Sequence, residues 1–114
     1  MVVYGIPNCN TVKKAQDWLK QNKVEYTFHD FKKAGVTASK LQEWTKQLGW
    51  QALVNKKGTT WRQLDPEVQE RIVDEASAIA LMLEKTSVIK RPVIETGKKL
   101  VLGFDENVFE KEVK

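Results

Sequence analysis

The sequence predicts an α/β fold built around a mixed four-stranded sheet, and three observations carry that prediction. An apolar run, Met1-Val2-Val3-Tyr4, gives way at Gly5 and Pro7 to a helical pattern, and then to an alternating stretch that ends near Phe28. Residues 31–90 read as almost wholly helical. Beyond Pro92, Val93-Ile94-Glu95 and Leu100-Val101-Leu102 flank Thr96-Gly97, the pattern of an antiparallel hairpin.

Each element has its own local cause. Gly5 and Pro7 are turn signals that end the first strand. Asn8 is a good helix cap, and Val12, Ala15, Trp18 and Leu19 recur behind it at helical spacing. Val24, Tyr26 and Phe28 then alternate with Glu25, Thr27 and His29, as in a strand with two unlike faces. The interval between the two strands, about twenty residues, suits one crossover helix and therefore a parallel pair. Thr37 caps a helix carrying Leu41, Trp44 and Leu48, which Gly49 ends. A short turn over 50–54 and a polar loop over 55–60 follow. Asp65-Pro66 is a cap with proline at the first helical position. Val68, Ile72, Ala76, Ile79, Ala80 and Leu83 form the apolar stripe behind it, with a division near Asp74. Pro92 stops helical structure. Gly103 breaks the chain after the hairpin, and Asp105 caps a last helix that uses Val108 and Phe109. The order β-α-β, helical insert, β-β-α is that of the thioredoxin fold. We expect one domain over 1–114, with the insert at about 35–88.

Composition narrows the class. The chain is 41% hydrophobic and 30% charged, ordinary for a soluble globular protein. No apolar run approaches the roughly 18 residues of a membrane span, and no secretory signal pattern opens the chain. The net charge of +4 is spread over scattered lysines, which reads as a solvated surface rather than a nucleic-acid footprint. A single cysteine, Cys9, forbids an internal disulfide and fits a reducing, cytoplasmic setting. Any redox chemistry must then finish with a thiol from outside.

That cysteine falls at the first turn of the first helix, just after a strand. Unpaired N–H groups and the positive end of the helix dipole meet there, and they favour a thiolate and an anion docked beside it. Lys13 and Lys14 add charge one turn on, although consecutive helical residues point roughly 100° apart, so both cannot face the sulfur. Thr11 has two readings, a hydroxyl donated to the thiolate or a helix cap. The plain alternative for Cys9 itself is a small buried apolar residue. His29, on the polar side of its strand, reads as structural. With Cys9 it has no metal-ligand spacing, so no metal site is expected. The four tryptophans, Trp18, Trp44, Trp50 and Trp61, read as core or hinge packing.

Several stretches together resemble the arsenate reductase (ArsC)/Spx family, in particular its YffB-like branch. They are Tyr4-Gly5-Ile6-Pro7-Asn8-Cys9-Asn10-Thr11-Val12-Lys13-Lys14-Ala15, Leu48-Gly49-Trp50, residues 55–64 from Asn55 to Leu64, and Ile89-Lys90-Arg91-Pro92-Val93-Ile94 followed by Leu102-Gly103-Phe104. The resemblance implies a thioredoxin-like fold with a helical insert. It implies that Cys9 is the nucleophile and that Arg91-Pro92 is an arginine–cis-proline pair beside it. Glutathione is implied as co-substrate, with no bound cofactor. The family's other oxyanion-clasping arginine has Asn55, Lys57 and Arg62 as candidates here, and lysine cannot imitate arginine's paired hydrogen bonds. Position 12 is Val12, which excludes the two-cysteine switch of typical Spx regulators.

The expected function is a glutathione-dependent thiol oxidoreductase that works through a mixed disulfide or thiol adduct on Cys9. Glutathione or a thiol-reductase protein would resolve that adduct. The alternatives are an arsenate reductase, or a non-catalytic Spx-like regulator that binds RNA polymerase. The expected catalytic residues are Cys9 and Arg91, with Asn10, Thr11, Lys13, Lys57, Arg62 and Pro92 binding substrate or anion.

Overall fold

A computed structural model describes residues 1–114. In chain order the elements are β1 (Val2–Gly5), α1 (Asn10–Gln21), β2 (Thr27–Asp30), α2 (Phe31–Ala34), α3 (Ala38–Leu48), α4 (Trp50–Leu53), α5 (Thr59–Arg62), α6 (Pro66–Glu70) and α7 (Glu75–Glu84). A 3-10 turn (Thr86–Val88), β3 (Val93–Glu95), β4 (Leu100–Leu102) and α8 (Glu106–Glu112) complete the chain. These elements form two compact units, one of Met1–Ala34 with Arg91–Lys114 and one of Gly35–Lys90. No helix is long and apolar enough to cross a membrane.

The first unit holds the mixed four-stranded sheet, in the order β2-β1-β3-β4. β1 runs parallel to β2 and antiparallel to β3, and β3 runs antiparallel to β4. Side chains alternate across a sheet, so Val3, Ile94 and Val101, which lie opposite one another, make one buried row. Ala15, Trp18 and Leu19 of α1 and Phe109 of α8 close over that row. Phe109 meets Trp18 edge to face at 5.2 Å and Phe104 at 4.9 Å. The hairpin closes through Thr96, whose hydroxyl accepts from the N–H groups of Lys98 and Lys99, while Gly97 takes φ 99°.

The second strand begins later than its alternation implies. The N–H of Val24 still donates to the carbonyl of Leu19 at 2.9 Å, so the chain is leaving α1 there. Pairing starts at Thr27, whose N–H reaches the carbonyl of Met1 at 3.0 Å. The alternation nevertheless persists in the burial, with Val24, Tyr26 and Phe28 half-buried and Glu25 and Thr27 exposed. In α8, Phe109 is fully buried, whereas Val108 is 40% exposed rather than part of the core. One short helix can turn only one of two adjacent residues inward.

The second unit is helical, as its sequence predicts. Thr37 caps α3 by accepting from the N–H of Lys40 at 3.1 Å, and Gly49 ends that helix at φ 83°. Leu41 and Trp44 are buried, and the Thr45 hydroxyl bonds Glu75 of α7. Asp65 is the N-cap of α6 by position alone, since its side chain makes no capping bond. The polar loop is shorter than expected, because Thr59 already opens α5.

The stripe assigned to residues 68–83 has a different phase. Asp74 caps α7 in a reciprocal capping box with Ser77, which makes α7 a separate helix with its own orientation. That helix buries Ala78, Ile79, Leu81 and Met82, and leaves Ala76, Ala80 and Leu83 exposed.

Candidate active site at the start of α1

The β1–α1 connection sets the position of Cys9. Gly5 ends β1 directly beneath Val12 of α1, and a Cβ on Gly5 would lie 2.8 Å from Cγ2 and 3.2 Å from Cγ1 of Val12. Only glycine lets the strand and the first turn of α1 come so close. Val12 is itself fully buried, so the turn is pinned to the sheet.

The helix starts at Asn10, and Cys9 rather than Asn8 is its N-cap, with extended dihedrals of φ −108° and ψ 125°. The Cys9 carbonyl accepts the first helical bond from the N–H of Lys13 at 2.9 Å. Its side chain makes no conventional capping bond, and no acidic residue lies in the first turn. Asn8 is exposed on the approach to the helix, one residue too early to cap it.

The half-buried thiol is held below its ordinary pKa. Burial is the largest single influence and pushes the value up. Against it act a hydrogen bond from the N–H of Val12, a hydrogen bond and the positive charge from the Arg91 guanidinium, and a hydrogen bond from the N–H of Thr11. Together these favour the anion and outweigh burial, as expected for a sulfur at a helix N-terminus beside a cation.

Arg91 comes from the far end of the sequence. It precedes β3, the strand beside β1, so the sheet order carries it to the carboxyl end of β1, where Cys9 lies. The Arg91–Pro92 peptide is cis. Pro92 is buried, and its carbonyl accepts from the N–H of Gly103 at 2.9 Å, which ties this segment to the end of β4.

The profile of the ArsC family matches residues 4–111, nearly the whole chain. The chain belongs to the ArsC family. Among solved structures it is similar to the YffB protein, with 43% identity and a TM-score of 0.93 over 99% of this chain and 98% of that one. It is also similar to an arsenate reductase (ArsC) related protein from Brucella melitensis, with 45% identity and a TM-score of 0.77 over 99% and 93% of the two chains. An uncharacterised protein of Haemophilus influenzae is 40% identical over 96% of both chains. Further off, the regulatory protein MgsR of Bacillus subtilis is 25% identical over 92% of this chain and 83% of its own. The fold is accordingly the thioredoxin-like fold of ArsC-family proteins.

Of the residues singled out in the sequence of this ArsC-family protein, the structure brings Cys9, the Thr11 N–H and Arg91 together. Pro92 is buried next to Arg91. Thr11 contributes its main chain, and its side chain is exposed, as are those of Asn10 and Lys13. Lys57 and Arg62 lie in the second unit and are exposed. Lys57 sits in the turn closed by its N–H to Asn55 Oδ1, and Arg62 ends α5. Sequence reasoning missed the part played by the Val12 amide, because Val12 reads only as a core residue. The signal was available, since the N–H groups of the second and third helical residues are the ones turned toward an N-cap. His29 is half-buried against Tyr4 at 4.8 Å and Phe31 at 6.0 Å, in a structural aromatic cluster. No group of three or more His, Cys, Asp or Glu could hold a metal ion.

Proposed function

We propose that this protein is a thiol oxidoreductase that uses Cys9 as its nucleophile and glutathione as its reductant. The observation that carries the reading is the Cys9 sulfur at the N-cap of α1, with its pKa lowered by the Val12 and Thr11 amides and by Arg91. The attacking species in thiol–disulfide exchange is the thiolate, so a lowered pKa enlarges the share of the reactive form relative to an ordinary thiol at the same pH.

The cycle has two exchanges. The Cys9 thiolate attacks the glutathione sulfur of a mixed disulfide between glutathione and a substrate thiol. The old S–S bond breaks, and the substrate leaves as a thiolate that takes a proton from water. A second glutathione, as thiolate, attacks the glutathione sulfur now bound to Cys9. Oxidised glutathione leaves and the Cys9 thiolate is regenerated. Each turn thus consumes one reduced glutathione and converts the mixed disulfide into a free substrate thiol and oxidised glutathione. The exposed helix N-terminus and Arg91 stabilise Cys9 each time it is a leaving group, and they attract the carboxylates of glutathione.

The single cysteine supports this route, because a resolving thiol must come from outside. Fully buried Val12, packed on Gly5, stands where a two-cysteine switch would need its second thiol. An oxyanion is the second substrate class in view. It is favoured by the kinship to arsenate reductase related proteins, and it would form a thiol adduct on the same sulfur.

The test measures consumption of reduced glutathione with a small mixed disulfide, and separately with arsenate, by wild type and Cys9→Ser. Turnover of the disulfide that vanishes in Cys9→Ser is the expected result. Turnover of arsenate alone would move the assignment to the oxyanion. Disulfide turnover that survives in Cys9→Ser would refute the mechanism.

A further inference from the structure

We infer that β2 is a pairing strand for a second copy of this chain, joined antiparallel about Thr27 so that two four-stranded sheets become one continuous sheet. The inference concerns a surface apart from Cys9 and does not depend on the proposed chemistry. β2 is an edge of the sheet. Natural edges are usually blunted by very short strands, charged side chains (lysine above all), proline, bulges or a covering element. Of these, this edge has only the short length of β2 and the charges of Glu25 and Asp30. Residues 24–30, Val24-Glu25-Tyr26-Thr27-Phe28-His29-Asp30, contain no lysine, proline or glycine.

The open edge has a defined parity. The N–H of Thr27 donates inward to the carbonyl of Met1, so Thr27 and His29 turn their main-chain groups to β1. Tyr26 and Phe28 therefore turn theirs outward, and a new strand must bond to these two residues. A two-fold axis at Thr27 places Tyr26 opposite Phe28 of the second copy, and Phe28 opposite Tyr26. Outward groups thus meet outward groups, and no shift of register is needed.

The side chains agree with the same alignment. Tyr26 and Phe28 share the half-buried face toward α1, where the Tyr26 hydroxyl donates to Gln16 Oε1 at 2.9 Å. Their cross-strand pairs are aromatic on aromatic, among the favourable pairs of antiparallel sheets. On the other face Glu25 stands opposite His29, an acid opposite a base, twice by symmetry. Thr27 meets Thr27 at the axis, and Thr–Thr is again a favourable pair. A one-residue slip would destroy every one of these matches. An open groove of about 730 Å³ runs beside the strand, lined by Met1, Val24, Tyr26 and Phe28 among others, and leaves room for a partner at this edge.

Thr27 is exposed, so it is the position for the test. Sedimentation of the reduced full chain over a wide concentration range should show a reversible monomer–dimer equilibrium. Thr27→Lys sets two like charges face to face at the axis and should weaken the dimer roughly fivefold or more, with unchanged monomer melting. Opposed residues at a non-hydrogen-bonded site lie about 4.5 Å apart at Cα, within the range of a disulfide. In a Cys9→Ser background, Thr27→Cys should therefore crosslink to a dimer on mild oxidation much faster than Glu25→Cys, whose symmetry mate lies across from position 29. A chain that stays monomeric at all concentrations, with Thr27→Cys no faster to crosslink than Glu25→Cys, would overturn the inference. A dimer indifferent to Thr27→Lys would overturn it too, and would place the contact on another surface.

Discussion

The contact between Gly5 and Val12 couples the stability of the fold to the reactivity of Cys9, and Gly5→Ala tests that coupling. Gly5 does not have a positive φ, so alanine meets no backbone penalty there. The whole penalty is steric. The new Cβ would lie 2.8 Å and 3.2 Å from the two methyl carbons of Val12, against an optimum of about 3.5–4.0 Å between carbons. Val12 is fully buried and cannot swing away, so the first turn of α1 must shift. Overpacking of this kind costs about 1–3 kcal/mol. The lower entropy of the unfolded alanine chain offsets about 0.4–1 kcal/mol, which leaves a net loss of roughly 1–2 kcal/mol. Val12→Ala alone removes two buried methyl groups at about 0.8 kcal/mol each and opens a cavity besides. In the double variant the clash has no partner atoms left, so its loss should fall short of the sum of the two by about 1 kcal/mol or more. Urea unfolding of the four reduced proteins measures this cycle. Losses that add to within about 0.5 kcal/mol would refute the contact argument. Gly5→Ala should also raise the thiol pKa, because it displaces the Val12 amide from the sulfur. Thiolate absorbance across pH reads that change in the same samples.

Two further outcomes follow from the geometry around the sulfur. Arg91→Met removes one hydrogen bond and one positive charge from Cys9 and should raise its thiol pKa, with Arg91→Lys lying between, since lysine keeps the charge without the planar donor fork. A pKa unchanged in Arg91→Met would dissociate the arginine from the thiol. The lowered pKa also makes folding stability depend on pH. A thiol whose folded value lies below its unfolded value of about 8.5 stabilises the fold fully above that unfolded value and loses the contribution as pH falls through the folded one. Reduced wild type should therefore gain stability between the lowered value and about 8.5 relative to Cys9→Ser. Parallel curves for the two proteins would contradict the stabilised thiolate.

Much of this protein is written in local chemistry. Gly5 and Pro7, the spacing of Val12, Ala15, Trp18 and Leu19, the Thr37 and Asp105 caps, and the Thr96-Gly97 turn are short-range signals, and each element they mark is present. The placement of Cys9 at a helix start was legible for the same reason, since a strand, a turn and a helix follow one another within a dozen residues. The cap itself was misjudged by one residue, because Asn8 is the better capping side chain but the packing of Val12 on Gly5 fixes where the first turn begins.

Tertiary structure decided the rest, because it depends on which faces meet. The sequence pattern marked Ala76, Ala80 and Leu83 as apolar at helical spacing, yet the Asp74–Ser77 capping box and the bond from Thr45 to Glu75 orient α7 so that Ala78, Ile79, Leu81 and Met82 turn inward. The parallel pairing of β2 was foreseeable, but its late start reflects the bond from Val24 back to Leu19. Above all, Cys9 and Arg91 are separated by most of the chain, and no local pattern joins them. They meet because β3 inserts beside β1, and the sulfur, which already faces two amides of its own helix, thereby gains a cation. The residue types came from the sequence, while the lowered thiol pKa is a property of the fold.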